Sequence, residues 1–451
     1  MTRHRGISLP LSSMPSSRSW GIGEIPDLVP MGQWLQAASY DQLMLLPVGT
    51  MATGQSSPYS ACSAMAIDPI YLSIEGIEDF SRAGGLESLS SDACRWLGEV
   101  RASSLVLFAQ VRDLKEIALW IAFRQFVSDE WDERSIRAGD FAAFAHRERW
   151  WLDDYALFQA CAAEWPGGSW RDWPATIARR EPAAVNEVRR HLGRRMMFEQ
   201  YVQWVASLQW QSARAALKAH GVALFGDLPF VVDAHSADVW ARQDEFLTEV
   251  SVGVPPDAFS DTGQDWGLPM YRWDVVHQSN FAWLRQRAQR MAALYDGFRV
   301  DHLVGFYRTY GKAPSGETFF LPPDEPTQFA LGEQVMRVFL ETGADIVAED
   351  LGTVPGFVRE SIARLGVGGY KVLRWERVWS QPGRPFVEPA HYPDRSVATT
   401  GTHDTEPMAA WWDEASAEDR YALAEVLHRA GAGGWDPSAP WSDALRDAIL
   451  R

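Results

Sequence analysis

The sequence predicts an α/β protein built as a (β/α)8 TIM barrel with helical insertions. Short β-rich apolar runs recur along the chain, and each is followed by a loop with charged or polar residues and then by helix-like periodicity. Strands that alternate with helices favour a parallel sheet. Polar residues at the C-terminal ends of such strands are typical of the active face of a barrel. The length of 451 residues fits one large barrel with insertions or several smaller domains.

The elements follow in order along the chain. The apolar runs that predict strands are 41–49, 222–233, 296–302, 344–350, 369–376 and 396–404. The first run leads into a Gly/Ser/Pro-rich loop, TMATGQSSPYSA, so residues 1–75 are assigned to the start of the barrel and this loop. Between 76 and 220 apolar residues return at helical spacing without clear strands, which predicts a mainly helical insertion.

Residues 221–451 are assigned to the rest of the barrel. A second insertion is expected at about 250–285, because Pro255, Pro256, Gly263 and Gly267 should break regular structure there.

The charge of the chain argues against some partners. Asp and Glu number 59 and Lys and Arg number 42, which gives a formal net charge of −17. Such a surface repels phosphate backbones and anionic lipid, so neither nucleic acid nor a membrane is expected as a partner. The 22 Trp residues serve mainly in packing, and a minority are expected to form flat platforms for sugar rings.

Cysteine usage and the N-terminus favour the cytoplasm. The three cysteines lie far apart, so a disulfide framework is not expected, and no CxxC zinc pattern is present. The first residues lack the apolar core of a signal peptide, and no apolar run is long enough to span a membrane.

Three carboxylates at predicted strand ends carry the strongest chemical signal: Asp301, Glu349 and Asp404. Retaining cleavage of a glycosidic bond needs two carboxyl groups about 5 Å apart, one as nucleophile and one as acid. Arg299 lies two residues before Asp301, so both side chains should point to the same side of the strand, where the guanidinium would keep Asp301 ionised. A buried ion pair with only a structural role is the alternative.

A metal site is a second alternative. His302 and His403 each lie beside an aspartate at a predicted strand end, and these residue types can bind metals. The sequence has no HExxH motif, Walker A loop or GxSxG elbow.

An ordered series of segments resembles one family, the 4-alpha-glucanotransferases of the amylomaltase (disproportionating enzyme) type, in the α-amylase-like barrel clan. The segments are RGISLPLSSMPS, GIGEI, LLPVGT, SSPYSACSAMAIDP, DDYALFQA, WRDWP, GDLPFVVDAHSADVW, GVPPDAFSDTGQDWGLPMYRWD and the three carboxylate segments. The resemblance covers nearly the whole chain. It implies transfer of α-1,4-glucan segments between malto-oligosaccharides, with no metal and no organic cofactor.

The resemblance also implies roles for individual residues. Asp301 would be the nucleophile, Glu349 the general acid and base, and Asp404 the carboxylate that holds the distorted donor sugar. Arg299 and His403 would contact the nucleophile and the donor sugar, and Tyr59 would stack on that sugar. A lid at 253–268 would contribute Asp257, Gln264 and Trp266. The remaining predicted substrate-binding residues are Ser57, Asp227, His302 and Asp350.

One departure from the family concerns the C-terminal part. The family continues beyond its third carboxylate through a final strand and helix with a sugar-binding asparagine, whereas the segment after Asp404 shows helix-like spacing and no eighth strand. Either the chain lacks its final β/α unit, or the barrel keeps an unpaired edge. This missing segment leaves an inactive glucan-binding protein as one alternative function, and an α-1,4-glucan hydrolase is a second alternative within the same chemistry.

Overall fold

The computed structural model describes residues 3–52, 54–256, 261–378 and 380–450. The chain forms two compact units, Arg3–Asp345 and Ile346–Arg451. The strands are β1 (Gly6–Leu9), β2 (Gln42–Leu45), β3 (Ala223–Leu228), β4 (Phe246–Val254), β5 (Gln264–Tyr271), β6 (Gly297–Val300), β7 (Thr309–Lys312), β8 (Thr318–Leu321), β9 (Asp345–Ala348), β10 (Gly369–Val372) and β11 (Ser396–Thr399).

Helices surround and connect these strands. They are α1 (Leu28–Ala37), α2 (Glu78–Arg82), α3 (Ser91–Ala102), α4 (Phe108–Phe126), α5 (Ile136–Glu164), α6 (Ala175–Ala178), α7 (Pro182–His191), α8 (Gly193–Ala219), α9 (Ala237–Ala241), α10 (Trp273–Gln278), α11 (Ala282–Leu294), α12 (Val304–Tyr307), α13 (Glu325–Leu340), α14 (Gly356–Arg364), α15 (Met408–Glu414), α16 (Ala417–Arg429) and α17 (Asp443–Leu450). None of the helices in the described ranges is long and apolar enough to cross a bilayer.

A parallel sheet forms the centre of the larger unit. β1 pairs with β2, β2 with β3, and β3 with β6, all in parallel. All four residues of β6 are buried, as are five of the six in β3. Burial on both faces is typical of parallel strands covered by helices. The sequence prediction located β2, β3 and β6, but it placed no strand at Gly6–Leu9, where the run is only four residues long.

The structure describes all of residues 72–222, and their regular secondary structure consists only of helices. Their core is aromatic: Trp120 of α4 stacks on Phe198 of α8, with ring centroids 3.9 Å apart and planes 2° from parallel. This accounts for much of the tryptophan content, since stacked and edge-on rings bury large apolar areas. The domain boundaries predicted from the sequence stay predictions.

An antiparallel sheet of four strands, in the order β5-β4-β7-β8, was not predicted. The expectation that Gly267 breaks regular structure was wrong, because β5 runs through it. Gly267 has φ +67° and lies in a bulge: Val252 pairs with Leu268, whereas the next residue, Gly253, pairs with Asp265. A bulge leaves its extra residues out of the ladder and bends the strand, so the hairpin accommodates the glycine without ending.

The smaller unit contains a parallel pair and a helical core. β10 pairs with β11, with Gly369 opposite Ser396 and Val372 opposite Thr399. The core consists of Leu373, Phe386, Trp412, Leu423, Val426, Leu427 and Leu445. The indole Nε1 of Trp412 donates to the Ala439 carbonyl at 3.0 Å, which satisfies the one polar group of a fully buried ring. In residues 400–450 the structure has helices and no strand.

Candidate active site

Four side chains meet at the C-terminal ends of β3 and β6 in the larger unit, and we call them the Asp301 cluster: Tyr59, Asp227, Arg299 and Asp301. Asp227 of β3 is in register with Arg299 of β6. The Asp301 N–H donates to the Leu228 carbonyl at 3.0 Å, which continues the pairing one residue past β6. Because strand side chains alternate, Arg299 and Asp301 point to the same side.

Arg299 bridges the two carboxylates. Its Nη1 lies 2.6 Å from Asp227 Oδ2, and its Nη2 lies 2.8 Å from Asp301 Oδ1. The side chain of Asp227 is fully buried and that of Arg299 is 6% exposed, whereas Asp301 is 21% exposed. Charge-assisted bonds from one guanidinium stabilise negative charge on both carboxylates. Asp301 is thus an oriented carboxylate with an accessible face, which is what a nucleophile requires.

Tyr59 adds a hydroxyl to the cluster. Its phenolic oxygen donates to Asp227 Oδ2 at 2.6 Å and accepts from Arg299 Nη1 at 3.3 Å. Burial, followed by the charges of Asp227 and Asp301, raises the pKa of Tyr59 far above its ordinary value, so the hydroxyl remains a donor. Ser57 lies two residues earlier on the same loop and is exposed, and its Oγ accepts the Tyr59 N–H at 3.4 Å.

His302 follows the nucleophile candidate and contacts the β4–β5 hairpin. Its backbone adopts φ +44°, and its ring packs edge-on between Phe230 and Trp266, at centroid distances of 5.5 and 4.8 Å. Burial, and then the charge of Arg299, lower the pKa of His302 to about 4, so the ring is neutral at pH 7. Trp266 donates through Nε1 to Gln264 Oε1 at 3.0 Å. Trp266 thus lies against the residue that follows Asp301, and Gln264 is bonded to Trp266, whereas Asp257 lies outside the described residues.

In the smaller unit, Glu349 and Asp350 follow β9 directly. Glu349 is partly exposed, and its Oε1 accepts the Leu351 N–H at 3.1 Å. Asp350 is 6% exposed, and its Oδ1 accepts the Tyr370 N–H of β10 at 2.8 Å. A buried carboxylate that accepts a strand N–H is a usual structural arrangement, so the substrate role of Asp350 stays a prediction.

His403 and Asp404 lie on the loop after β11, with His403 Nε2 3.3 Å from Asp404 Oδ2. The Asp404 side chain is 72% exposed and open to a ligand. Sequence analysis did not identify Arg374, which holds this loop: Nε donates to the Thr400 carbonyl at 2.9 Å and Nη2 to the Glu406 carbonyl at 3.0 Å. Nη1 also pairs with the Glu406 carboxylate. The available signal was an arginine near the C-terminal end of the predicted strand at 369–376.

The metal hypothesis receives no support from geometry. Across the described ranges, no three or more His, Cys, Asp or Glu side chains are grouped so that they could hold a metal ion. The His302 ring packs against the rings of Phe230 and Trp266, and the His403 ring lies beside the Asp404 carboxylate.

Comparisons with known proteins agree with one another. The family model described as 4-alpha-glucanotransferase, of glycoside hydrolase family 77, matches residues 9–451. The 4-alpha-glucanotransferase of Synechocystis sp. is 33% identical, covering 94% of this chain and 83% of that protein. The 4-alpha-glucanotransferase of Thermus thermophilus is 31% identical, covering 95% of this chain and 83% of that protein.

A solved structure shares the fold. Amylomaltase from Streptococcus agalactiae in complex with acarbose superposes with a TM-score of 0.82 at 24% identity, covering all of this chain and 87% of that one. The α/β class and the amylomaltase fold predicted from the sequence are confirmed by this match, and the enzyme class is confirmed by the family model. The three carboxylates follow parallel strands in the order that the family resemblance implies, and the family model and the relatives match nearly the whole chain. The chain therefore belongs to the 4-alpha-glucanotransferases of glycoside hydrolase family 77.

Proposed function

We propose that this enzyme transfers α-1,4-glucan segments to the 4-hydroxyl of an acceptor glucan or glucose by a retaining double displacement on Asp301. The observation that carries the proposal is the Arg299–Asp301 contact of 2.8 Å, which orients a partly exposed carboxylate at a strand end. An amylomaltase with the same fold has been solved with acarbose bound, which supports a glucan as the ligand class.

In the first step Asp301 attacks the anomeric carbon of the donor. The bond to the leaving glucan breaks, and Glu349 gives its proton to the departing 4-oxygen, which leaves a glycosyl ester on Asp301. Asp404 binds the hydroxyls of the donor sugar while its ring flattens. Bonds that strengthen in the flattened ring stabilise the transition state more than the ground state.

In the second step Glu349 acts as the base. It removes the proton from the 4-hydroxyl of the acceptor, whose oxygen attacks the anomeric carbon and displaces the Asp301 carboxylate. Two inversions restore the α-configuration. Glu349 regains its proton and Asp301 its charge, so the cycle needs no cofactor.

The other predicted residues bind the glucan. Tyr59 stacks on the donor sugar, and Asp227, Arg299, His302 and His403 surround the reacting end, with Ser57 and Asp350 as further contacts. Gln264 and Trp266, together with Asp257, cover the chain. Trp266 reaches the ring of His302, beside the nucleophile, which supports this assignment. Exclusion of water by such a cover favours transfer over hydrolysis of the ester.

Incubation with maltotriose tests the proposed reaction. Transfer gives glucose and a ladder of longer oligosaccharides, with a constant number of reducing ends. Hydrolysis gives only shorter sugars and a growing number of reducing ends. Folded enzyme that yields neither pattern would refute the proposal.

The substitution Asp301→Asn tests the nucleophile. We expect transfer to fall to background, because an amide cannot form the glycosyl ester, while malto-oligosaccharides still bind. Calorimetry measures that binding, and an unchanged circular dichroism spectrum controls for folding. A mechanism-based fluoro-sugar should label Asp301 in the native enzyme. A glycosyl adduct mapped by peptide mass spectrometry to any other residue would contradict the assignment.

The proposal includes a cytoplasmic location and malto-oligosaccharides as donor and acceptor. The formal net charge of −17 supports a neutral ligand over a polyanion. Cell fractionation with an antibody against the chain tests the location.

A further inference from the structure

Tyr59 is carried by a loop, residues 47–68, whose two arms are paired. We call this segment the Tyr59 loop; its residue Thr53 lies outside the described part. Antiparallel bridges join Gly49 to Ile67 and Met51 to Ala61. The arms therefore form an irregular hairpin, with Tyr59 near its tip.

Asp68 closes the base of this hairpin. Its side chain is fully buried and accepts four N–H bonds. The Met51 N–H, on the opposite arm, donates to Oδ2 at 2.9 Å, and the Ile70 N–H donates to Oδ1 at 3.0 Å. Arg112 of α4 supplies the other two bonds as a fork, Nη1 to Oδ1 and Nη2 to Oδ2, each at 2.9 Å. The carboxylate thus links both arms of the loop to a helix outside the sheet.

We propose that Arg112 is a positioning residue for Tyr59. By fixing the plane of the Asp68 carboxylate, it sets the position of the Met51 arm and thereby of the loop tip that brings the Tyr59 hydroxyl to Asp227. The inference rests on the proposed function, in which Tyr59 contacts the donor sugar. A planar fork holds a carboxylate in one orientation, whereas a lysine ammonium offers only a point contact.

Other contacts hold the loop in the fold when Arg112 changes. Gln203 of α8 accepts the Ile67 N–H at 3.1 Å and donates to its carbonyl at 2.8 Å. The Tyr155 hydroxyl of α5 lies 3.2 Å from Thr50 Oγ1. Loss of the fork is therefore expected to loosen the arm from Met51 toward the tip, while the base of the hairpin stays attached at Thr50 and Ile67.

The first experiment compares Arg112→Met with a matched variant, Arg137→Met. Arg137 makes the same kind of fork, at 2.7 and 3.0 Å, to a buried aspartate, Asp79 of α2, which is outside the Tyr59 loop. Misplacement by about 1 Å of a residue that positions the substrate, such as Tyr59, can cost up to about a hundredfold in rate, so we expect Arg112→Met to lower kcat at least about tenfold with a smaller change in KM. Arg112→Lys should recover part of kcat, and Arg137→Met should lower Tm but leave kcat within about twofold.

Hydrogen exchange reports on the loop directly. We expect the amides of the peptide that contains residues 52–60 to exchange faster in Arg112→Met than in the native enzyme or in Arg137→Met. Unchanged exchange of this peptide would overturn the positioning role, whatever happens to activity. A lower Tm with native kcat would overturn it as well.

A double-mutant cycle with Tyr59→Ala, which removes both the ring and the hydroxyl, separates this inference from the function on which it rests. If Arg112 acts through Tyr59, Arg112→Met should cost much less kcat in the Tyr59→Ala background than in the native one. The full loss of kcat in both backgrounds would refute the coupling. If Tyr59→Ala alone leaves transfer unchanged, the role of Tyr59 in the proposed function fails, and the exchange experiment still decides whether Arg112 positions the loop.

Discussion

At the scale of single residues, Arg299 determines the character of the Asp301 cluster. One guanidinium lies between two carboxylates, at 2.6 Å from Asp227 and 2.8 Å from Asp301. Tyr59 shares the Asp227 carboxylate with it. This geometry suits arginine, because its rigid fork presents separate donors to the two partners, whereas lysine has a single nitrogen. Removing the cation would leave Asp227 buried with an uncompensated charge.

The substitution Arg299→Lys should therefore damage catalysis without removing the positive charge. We expect kcat/KM for maltotriose to fall between about tenfold and about 150-fold, because a charge-assisted bond is worth about 1.5–3 kcal/mol. Arg299→Met should be worse and should also lower Tm, since it removes the guanidinium that bridges two carboxylates. Arg337→Lys is the control, because Arg337 is 62% exposed and pairs with Glu333 within one helix. Native kcat/KM in Arg299→Lys would show that the bridge has no role in catalysis.

Sequence reasoning found the part of this cluster that depends on local spacing. Arg299 and Asp301 are two residues apart on one strand, so alternation alone brings them together. The contact of Arg299 with Asp227 depends on the register between β3 and β6. The 68 residues from 229 to 296 separate these strands, and no local pattern specifies their pairing. Arg374 was missed for the same reason, since its partners belong to a loop after a different strand.

At the scale of elements, the β4–β5 hairpin differs most from the sequence prediction. Pro and Gly residues at 255–267 suggested irregular structure, because both residue types weaken a strand. The hairpin nevertheless forms, since Gly253 and Gly263 stand where its two strands come closest: a Cβ at Gly253 would lie 1.9 Å from the Gln264 carbonyl oxygen, and one at Gly263 would lie 2.4 Å from that of Val254. The glycines therefore allow the close approach. Trp266 is one of the two residues in the bulge beside Gly253, and its ring contacts His302.

Helix α8 carries a buried acid that makes stability depend on pH. Burial raises the pKa of Glu199 from 4.5 to about 7, and Glu116 adds to this effect. Arg195, whose Nε lies 2.8 Å from the carboxylate, opposes it. A raised pKa in the folded state means that the native protein binds more protons than the unfolded chain between these two values. The contribution of Glu199 to stability therefore falls as pH rises from about 4.5 to 7.

The substitution Glu199→Gln should remove this dependence. We expect the variant to match the native protein near pH 4.5 and to exceed it above pH 7, by at most about 3 kcal/mol in the free energy of unfolding. Urea unfolding across this range measures the difference. Glu133→Gln is the control, because Glu133 is exposed. A variant that loses stability equally at every pH would show that the bond to Arg195 outweighs the burial of charge.

At the scale of the whole molecule, two features of the composition have separate effects: the aromatic residues pack the cores, and the charged residues set the long-range electrostatic field. The largest fully buried side chains include five tryptophans, Trp20, Trp210, Trp240, Trp283 and Trp412, so the aromatic content mainly builds cores. Trp266, by contrast, is partly exposed beside the Asp301 cluster. Composition alone does not tell which tryptophan rings are buried in a core and which lie beside the site, because burial depends on the fold. The net charge, by contrast, can be interpreted without knowing the fold, since all charges contribute to the long-range field.

The net charge of −17 gives a prediction about salt that belongs to the whole molecule. A neutral glucan gains nothing from the long-range field, so kcat/KM for maltotriose should change less than about twofold between about 0.02 and 0.5 M NaCl. Maltotrionic acid, in which the reducing end is a carboxylate, should be repelled. Its kcat/KM as a donor should be lower than that of maltotriose at low salt and should rise as the field is screened. Initial rates of transfer measure both sugars, and Tm at each salt concentration controls for folding. A marked salt dependence of the neutral sugar would contradict the prediction, because it would show that charge pairing sensitive to screening contributes to catalysis itself.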